Sequence, residues 1–235
     1  MLLDASARCT AVFLCSVIFQ RKLTGIIISI SIKWRLLMRQ LTSVIDSPIG
    51  VHRASCSLRA ACACVEGCNI LMMQKVDDSS VFDRVWADYK AGFGGADGNY
   101  WMGNDRIHQL TTFGRYKLRV ELQTQDESSF WAEYNVFLVA REERNYKVTA
   151  LIYSAGDSDM LRSMRGNAFS TSDNDNDDNV SNCAQYIGGG FWYDKGECDG
   201  CFVTGRGDNF NCYLATSTYP MSAPLKTARM WLQCK

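Results

Sequence analysis

The chain has 235 residues, 47% of them hydrophobic and 21% charged, a balance that supports a buried core and excludes a fibrous or disordered chain. Its 25 basic and 25 acidic side chains cancel, so no long-range field draws it to nucleic acid or an anionic membrane surface. Eleven cysteines favour an oxidising, extracellular compartment, and two histidines, His52 and His108, leave little for a histidine zinc site or histidine base catalysis.

Residues 1–66 read as an N-terminal segment separate from a domain over 67–235. Thr10–Phe19 (TAVFLCSVIF) is an apolar run too short to cross a bilayer. With Leu23–Ile32 beyond Arg21 and Lys22 it has the make-up of a secretory leader or signal anchor; buried strand or helix and an ill-defined N-terminus are the alternatives. An anchor of this kind is the only membrane attachment the sequence offers. Ser55–Cys68 crowds four cysteines without a Cys-x-x-Cys knuckle, which suits disulfides or an interchain staple better than zinc. The odd cysteine total leaves one thiol free, paired between chains as in a homo-oligomer, or lost with a leader.

Regular patterning begins at Asp83. Asp83–Phe93 predicts a short helix capped by Asp83, stopped by Gly92 and Gly94, and presenting Val85, Trp86 and Tyr89 to a core. Asn104–Phe113 predicts a second, with Asn104 as cap, Ile107 and Leu110 on one face, and Gly114 as stop. Tyr116–Leu122 alternates apolar and charged residues and reads as a half-buried strand. Phe130–Ala140 and Tyr146–Tyr153 read as further strands joined by the turn Arg141–Asn145. Beyond Ser154, Gly, Asp, Asn and Ser dominate, so regular structure should be sparse and loops should carry function.

The strongest chemical signal is Ser172–Cys183 (SDNDNDDNVSNC), where Asp173, Asp175, Asp177 and Asp178 crowd together. Such charges repel unless a cation neutralises them, and irregular oxygen donors suit Ca2+ better than Mg2+. The EF-hand template fails: Asp178 stands where it needs Gly and Ala184 where it needs Glu.

Five blocks then occur in order: Trp86-x-x-Tyr89-Lys90-x-Gly92-Phe93-Gly94; Tyr100-Trp101-Met102-Gly103-Asn104 with Ile107-His108-x-Leu110-Thr111; Leu118–Leu122; Phe169-Ser170-Thr171 through Asn182-Cys183-Ala184; and Gly189-Gly190-Phe191-Trp192-Tyr193. Together they resemble the fibrinogen-related domain of fibrinogen chains, ficolins, tachylectins, tenascins and angiopoietins. The resemblance implies a single α+β domain with a twisted antiparallel sheet, short helices and a loop-rich C-terminal calcium and ligand subdomain. It implies a Ca2+ site using the carboxylates of Asp175 and Asp177 and the carbonyls of Asn179 and Ser181. It also implies a disulfide from Cys183 to Cys198, with Cys201 as competing partner, and a cis peptide at Glu197–Cys198.

The family's acetyl- or sugar-binding pocket lies beside that disulfide. Its counterpart here would draw on Tyr193, Glu197, Asp199 and Tyr213, although Asp199 stands where relatives commonly have histidine. Two functions follow: a secreted lectin-like protein binding glycans or acetylated groups in innate pattern recognition, or an extracellular protein-binding and adhesion module. No nucleophile–base pair stands out, which argues against an enzyme. Cys68, Cys212 and Cys234 match no family cysteine, and one of them is a candidate interchain cross-link. Arg206-Gly207-Asp208 in a turn is a candidate integrin motif, and Asn179-Val180-Ser181 is a glycosylation sequon overlapping the acidic loop. His108, Trp86, Tyr89, Tyr100 and Trp101 read as packing residues.

Overall fold

Alternating patterns sort this chain into strands, and one twisted antiparallel sheet collects them. The computed structural model describes residues 69–235 except 78, 96, 195–197, 199, 215 and 217–221. Expectations for the leader, the anchor and the cysteines up to Cys68 lie outside the described residues. In chain order the elements are β1 (Asn69–Lys75), α1 (Trp86–Ala91), β2 (Phe93–Gly94), β3 (Tyr100–Trp101), α2 (Asn104–Thr111), β4 (Tyr116–Thr124), β5 (Ser129–Val139), β6 (Val148–Gly156), α3 (Cys183–Ile187), β7 (Asn211–Tyr213) and β8 (Ser222–Cys234). The sheet order is β2-β3-β1-β8-β4-β5-β6, with β7 on the first residues of β8.

The last strand therefore lies in the middle. β8 pairs antiparallel with β1 through Ile70↔Leu232 and with β4 through Leu118↔Leu232 and Val120↔Met230. Its alternation sends Leu225, Ala228, Met230 and Leu232 inward, matching Leu118, Val120 and Leu122 of β4. Burying side chains of this size stabilises by roughly 1.5–3 kcal/mol each. β8 is also the exception to sparse regular structure after Ser154: it is a 13-residue strand.

The helices differ from expectation at their starts. α1 begins at Trp86, with Val85 at the cap position, 44% exposed and making no side-chain cap bond. Asp83 does not cap it; Asp173 Oδ1, from the acidic loop, accepts the Trp86 N–H at 2.8 Å. Gly103, at φ 104°, occupies the cap position of α2, and Asn104 is buried inside the helix with Oδ1 accepting from Trp101 Nε1 at 3.0 Å. Asn104 had a stronger claim on its side chain than the helix end: an indole N–H buried in the core must find an acceptor.

Tyr89 explains two of the glycine-rich blocks. Its buried hydroxyl donates to Phe82 O at 2.6 Å and accepts from Gly190 N–H at 2.8 Å. A Cβ on Gly190 would lie 2.7 Å from the Tyr89 ring, and one on Gly92 (φ 94°) 2.5 Å from Met102 O. Tyr89, Trp101, Phe169 and Trp192 stack into one aromatic core, with Phe169 and Trp192 centroids 4.9 Å apart and nearly perpendicular. His108 Nδ1 bonds Val139 O at 2.8 Å, a packing role.

Candidate functional site

The acidic loop is built from side chains that bond the backbone two residues ahead. Asp175 Oδ1 accepts from Asp177 N at 3.2 Å, Asp177 Oδ1 from Asn179 N at 3.1 Å, and Asn179 Oδ1 from Ser181 N at 2.8 Å. Asp and Asn favour such turns because a short side chain reaches that N–H. Asp177 Oδ2 also accepts from Cys183 N at 3.1 Å, so one carboxylate ties both ends of the 177–183 loop. Asn182 caps α3, accepting from Gln185 N at 3.1 Å, while its Nδ2 donates to Thr171 O at 3.0 Å. This is the physical content of the Asn182-Cys183-Ala184 block: a cap that also fastens the loop's origin.

Burial, and then the Asp175 charge, push the Asp177 carboxyl above the usual carboxylate range, while the two backbone N–H groups pull the other way. Each Asp177 oxygen accepts one backbone N–H, and the carboxyl also meets the Asp175 side chain. Among the described residues no three His, Cys, Asp or Glu side chains converge as a metal set. A cation on this loop would therefore use two carboxylates and complete its shell with backbone carbonyls and water, which hard oxygen-seeking cations accept.

Cys183 and Cys198 are disulfide-bonded, with Cα atoms 5.5 Å apart. Cys201 does not compete for Cys183: it bonds Cys212, its partner across an antiparallel bridge. Cys234 is disulfide-bonded too, so neither Cys212 nor Cys234 is left to cross-link chains. Two cysteines eleven apart around a Gly- and Asn-rich turn were the available signal for the second bridge; the sequence offered nothing to rank that pairing above others.

A 340 Å3 cavity opens beside these bridges, lined by Met160, Arg162, Ser163, Arg165, Asp194, Gly200 and Tyr213. The Arg162 guanidinium lies 5.1 Å from the Tyr213 ring centroid. Arg165 is fixed by an ion pair with Asp159 and by Nε donating to Leu151 O at 2.8 Å. Cys198, next to the rim, holds φ 46°, a left-handed backbone that a non-glycine residue keeps only under constraint.

Of the four residues expected to line a pocket, Tyr213 lines this cavity. Tyr193 does not: it is buried, donates to Gly189 O, and lines a separate 60 Å3 space that also meets Asn176, Asp177 and Asp178. Burial pushes its hydroxyl far above the ordinary phenol range. Glu197 and Asp199 lie outside the described residues, as does the expected cis bond at Glu197–Cys198. Arg162, Arg165 and Asp194 are pocket residues that sequence reasoning missed; Arg162 and Arg165 sit 36 and 33 residues before Cys198 in the chain, and only folding brings them near. Arg206, Gly207 and Asp208 are all exposed on a turn at Gly207–Asn209.

Known proteins share this organisation. The chain is 41% identical over 126 residues to angiopoietin-4 of Bos taurus, covering 52% of this chain and 25% of that protein. It is 39% identical over 124 residues to human tenascin-R, covering 53% of this chain and 9% of that protein. The chain thus spans a quarter or less of these relatives' own length. The fibrinogen-like globe domain of human ANGPTL2 superposes with a TM-score of 0.62 at 27% identity, covering 84% of this chain and 97% of that domain. Lamprey fibrin D-dimer, solved with the peptide Gly-His-Arg-Pro-amide, shares the fold at a TM-score of 0.60 and 19% identity, covering 97% of this chain and 88% of that one. All five described cysteines are in disulfides, in keeping with a secreted, extracellular protein. Residues 50–216 match the C-terminal globular domain of fibrinogen beta and gamma chains, and the chain belongs to that family.

Proposed function

We propose that this domain is an extracellular protein-binding module that seats a segment of its partner in the cavity lined by Arg162, Asp194 and Tyr213. The observation that carries the reading is the cavity: its size suits one or two side chains, and it combines two guanidinium groups, the Asp194 carboxylate and an aromatic face. Arg and Tyr are the residues that most often dominate protein recognition. Binding of glycans or acetylated groups in innate pattern recognition is the weaker reading. Tyr193, the aromatic expected to support a sugar, is buried and hydrogen-bonded beneath the acidic loop.

Calcium fits the acidic loop as its brace. Asp175 and Asp177 would supply carboxylates and Asn179 and Ser181 backbone carbonyls, and the ion's charge would offset the burial, and then the Asp175 repulsion, that raise Asp177. Its role is to hold the loop that precedes the Cys183–Cys198 bridge.

The test immobilises the full chain with Ca2+ and measures retention of extracellular proteins in parallel with acetylated resin and a glycan array. The expected result is protein retention that falls at least about tenfold in Arg162→Ala, as for a buried interface arginine, with no glycan retention. Glycan or acetyl retention lost in Arg162→Ala would replace this reading with the lectin one.

A further inference from the structure

The bridge Cys201–Cys212 encloses the only Arg-Gly-Asp sequence of the chain, and Arg206-Gly207-Asp208 stands near the middle of the loop it closes. That enclosure is independent of the motif itself: it comes from Cys212, which the family resemblance left without a role, and Cys201, which it offered only as a competing partner for Cys183.

The loop is held from within and below. Gly205 N donates to Phe202 O at 3.0 Å, Arg206 N to Ile187 O at 3.1 Å, Asn209 N to Arg206 O at 3.0 Å and Phe210 N to Gly207 O at 3.0 Å. The buried Lys75 ammonium donates to Gly205 O at 2.6 Å, anchoring the loop's start to β1. Asn209 Nδ2 donates to Tyr186 O at 3.0 Å and Asn211 Nδ2 to Asp208 O at 2.7 Å, fastening the other side. The three residues at the turn are nevertheless exposed, and an added Cβ on Gly207, at φ 55°, would meet nothing within 4 Å. A partner's backbone therefore has open access to the glycine, and the glycine itself is needed for the left-handed turn.

The Arg206 stem packs over Gly188, and its guanidinium makes a 3.5 Å contact with Asp83, both side chains about half exposed. Surface pairs of this kind contribute little, so the head group is readily released to a partner. A backbone fixed before binding loses less entropy on association, which is the advantage of placing a short recognition sequence in a disulfide-closed turn.

We infer that the Arg206–Asp208 turn is a second recognition site, separate from the cavity, for an integrin-type cell-surface receptor. Such a receptor would take the Asp208 carboxylate on a bound divalent cation and the Arg206 guanidinium in an acidic pocket. The spacing of one glycine sets the distance between the two charges.

The experiment coats the full chain on a surface with Ca2+ and Mg2+ present and measures adhesion of integrin-bearing cells. Asp208→Glu keeps the charge but moves the carboxylate, and the residue is exposed, so the fold is retained. Adhesion is expected to fall about tenfold in this variant and to be abolished by excess soluble Arg-Gly-Asp peptide. Arg162→Ala should leave adhesion unchanged, which separates this site from the cavity. The inference is overturned if the wild type supports no adhesion, or if Asp208→Glu adheres as well as the wild type.

Discussion

Asp173 caps a helix 87 residues before it in the chain: its Oδ1 accepts the backbone N–H of Trp86 at 2.8 Å and the Thr171 hydroxyl at 2.7 Å. One carboxylate thus fastens the first helix of the domain to the start of the acidic loop. Helix starts leave backbone N–H groups without internal partners, and here the acceptor comes from another part of the chain. Asp173→Ala should destabilise the domain by about 1 kcal/mol, lowering Tm by roughly 2–4 °C in thermal unfolding. Asp83→Ala should change Tm little, because its ion pair among the described residues is the long surface pair with Arg206.

Removing Ca2+ with a chelator should lower the wild-type Tm, because a ligand that binds only the folded state stabilises it. In Asp175→Asn/Asp177→Asn the chelator should have no effect. Differential scanning fluorimetry in calcium and in EDTA checks both arms, and an unchanged wild-type Tm would remove calcium from the loop.

Glu133 provides the pH dependence. Burial works against its ionisation, but the Lys117 ammonium at 2.8 Å and the Arg119 guanidinium at 3.1 Å outweigh it and hold the carboxyl below its ordinary range. A carboxyl depressed on folding contributes stability above its unfolded pKa and loses it as pH falls through the folded one. Glu133→Gln should therefore be less stable than the wild type at neutral pH, and the difference should shrink as pH drops below about 4. Denaturant midpoints at pH 7 and pH 3 measure it.

Cys201→Ser/Cys212→Ser should cost about 2–3 kcal/mol, as expected for cross-links closing loops of this length. Cys183–Cys198 should remain intact on peptide mapping, since the two bridges share no sulfur. Loss of both bridges together would contradict the pairing.

Much of the fold was legible in local pattern. The alternation of Tyr116–Leu122 marked the inward face of β4, and the turn at Arg141–Asn145 separated β5 from β6 as expected. The glycine-rich blocks and the Cys183–Cys198 pairing followed from the family's motifs. The helix starts did not, because Asp83 and Asn104 had the chemistry of caps but other groups reached the backbone, or the side chain, first.

Sequence alone determined which residues turn inward, where the carboxylates concentrate and that sulfur bridges staple the loops. Period and composition depend on neighbours along the chain, so a single strand reveals its buried face by itself. The tertiary structure decided what those faces meet: β8 inserted between β1 and β4, Tyr193 sealed under the acidic loop while Tyr213 opened onto a cavity with Arg162, and Cys212 delivered to Cys201. Such pairings depend on which distant segments pack together, and close packing selects among partners that local sequence leaves equivalent.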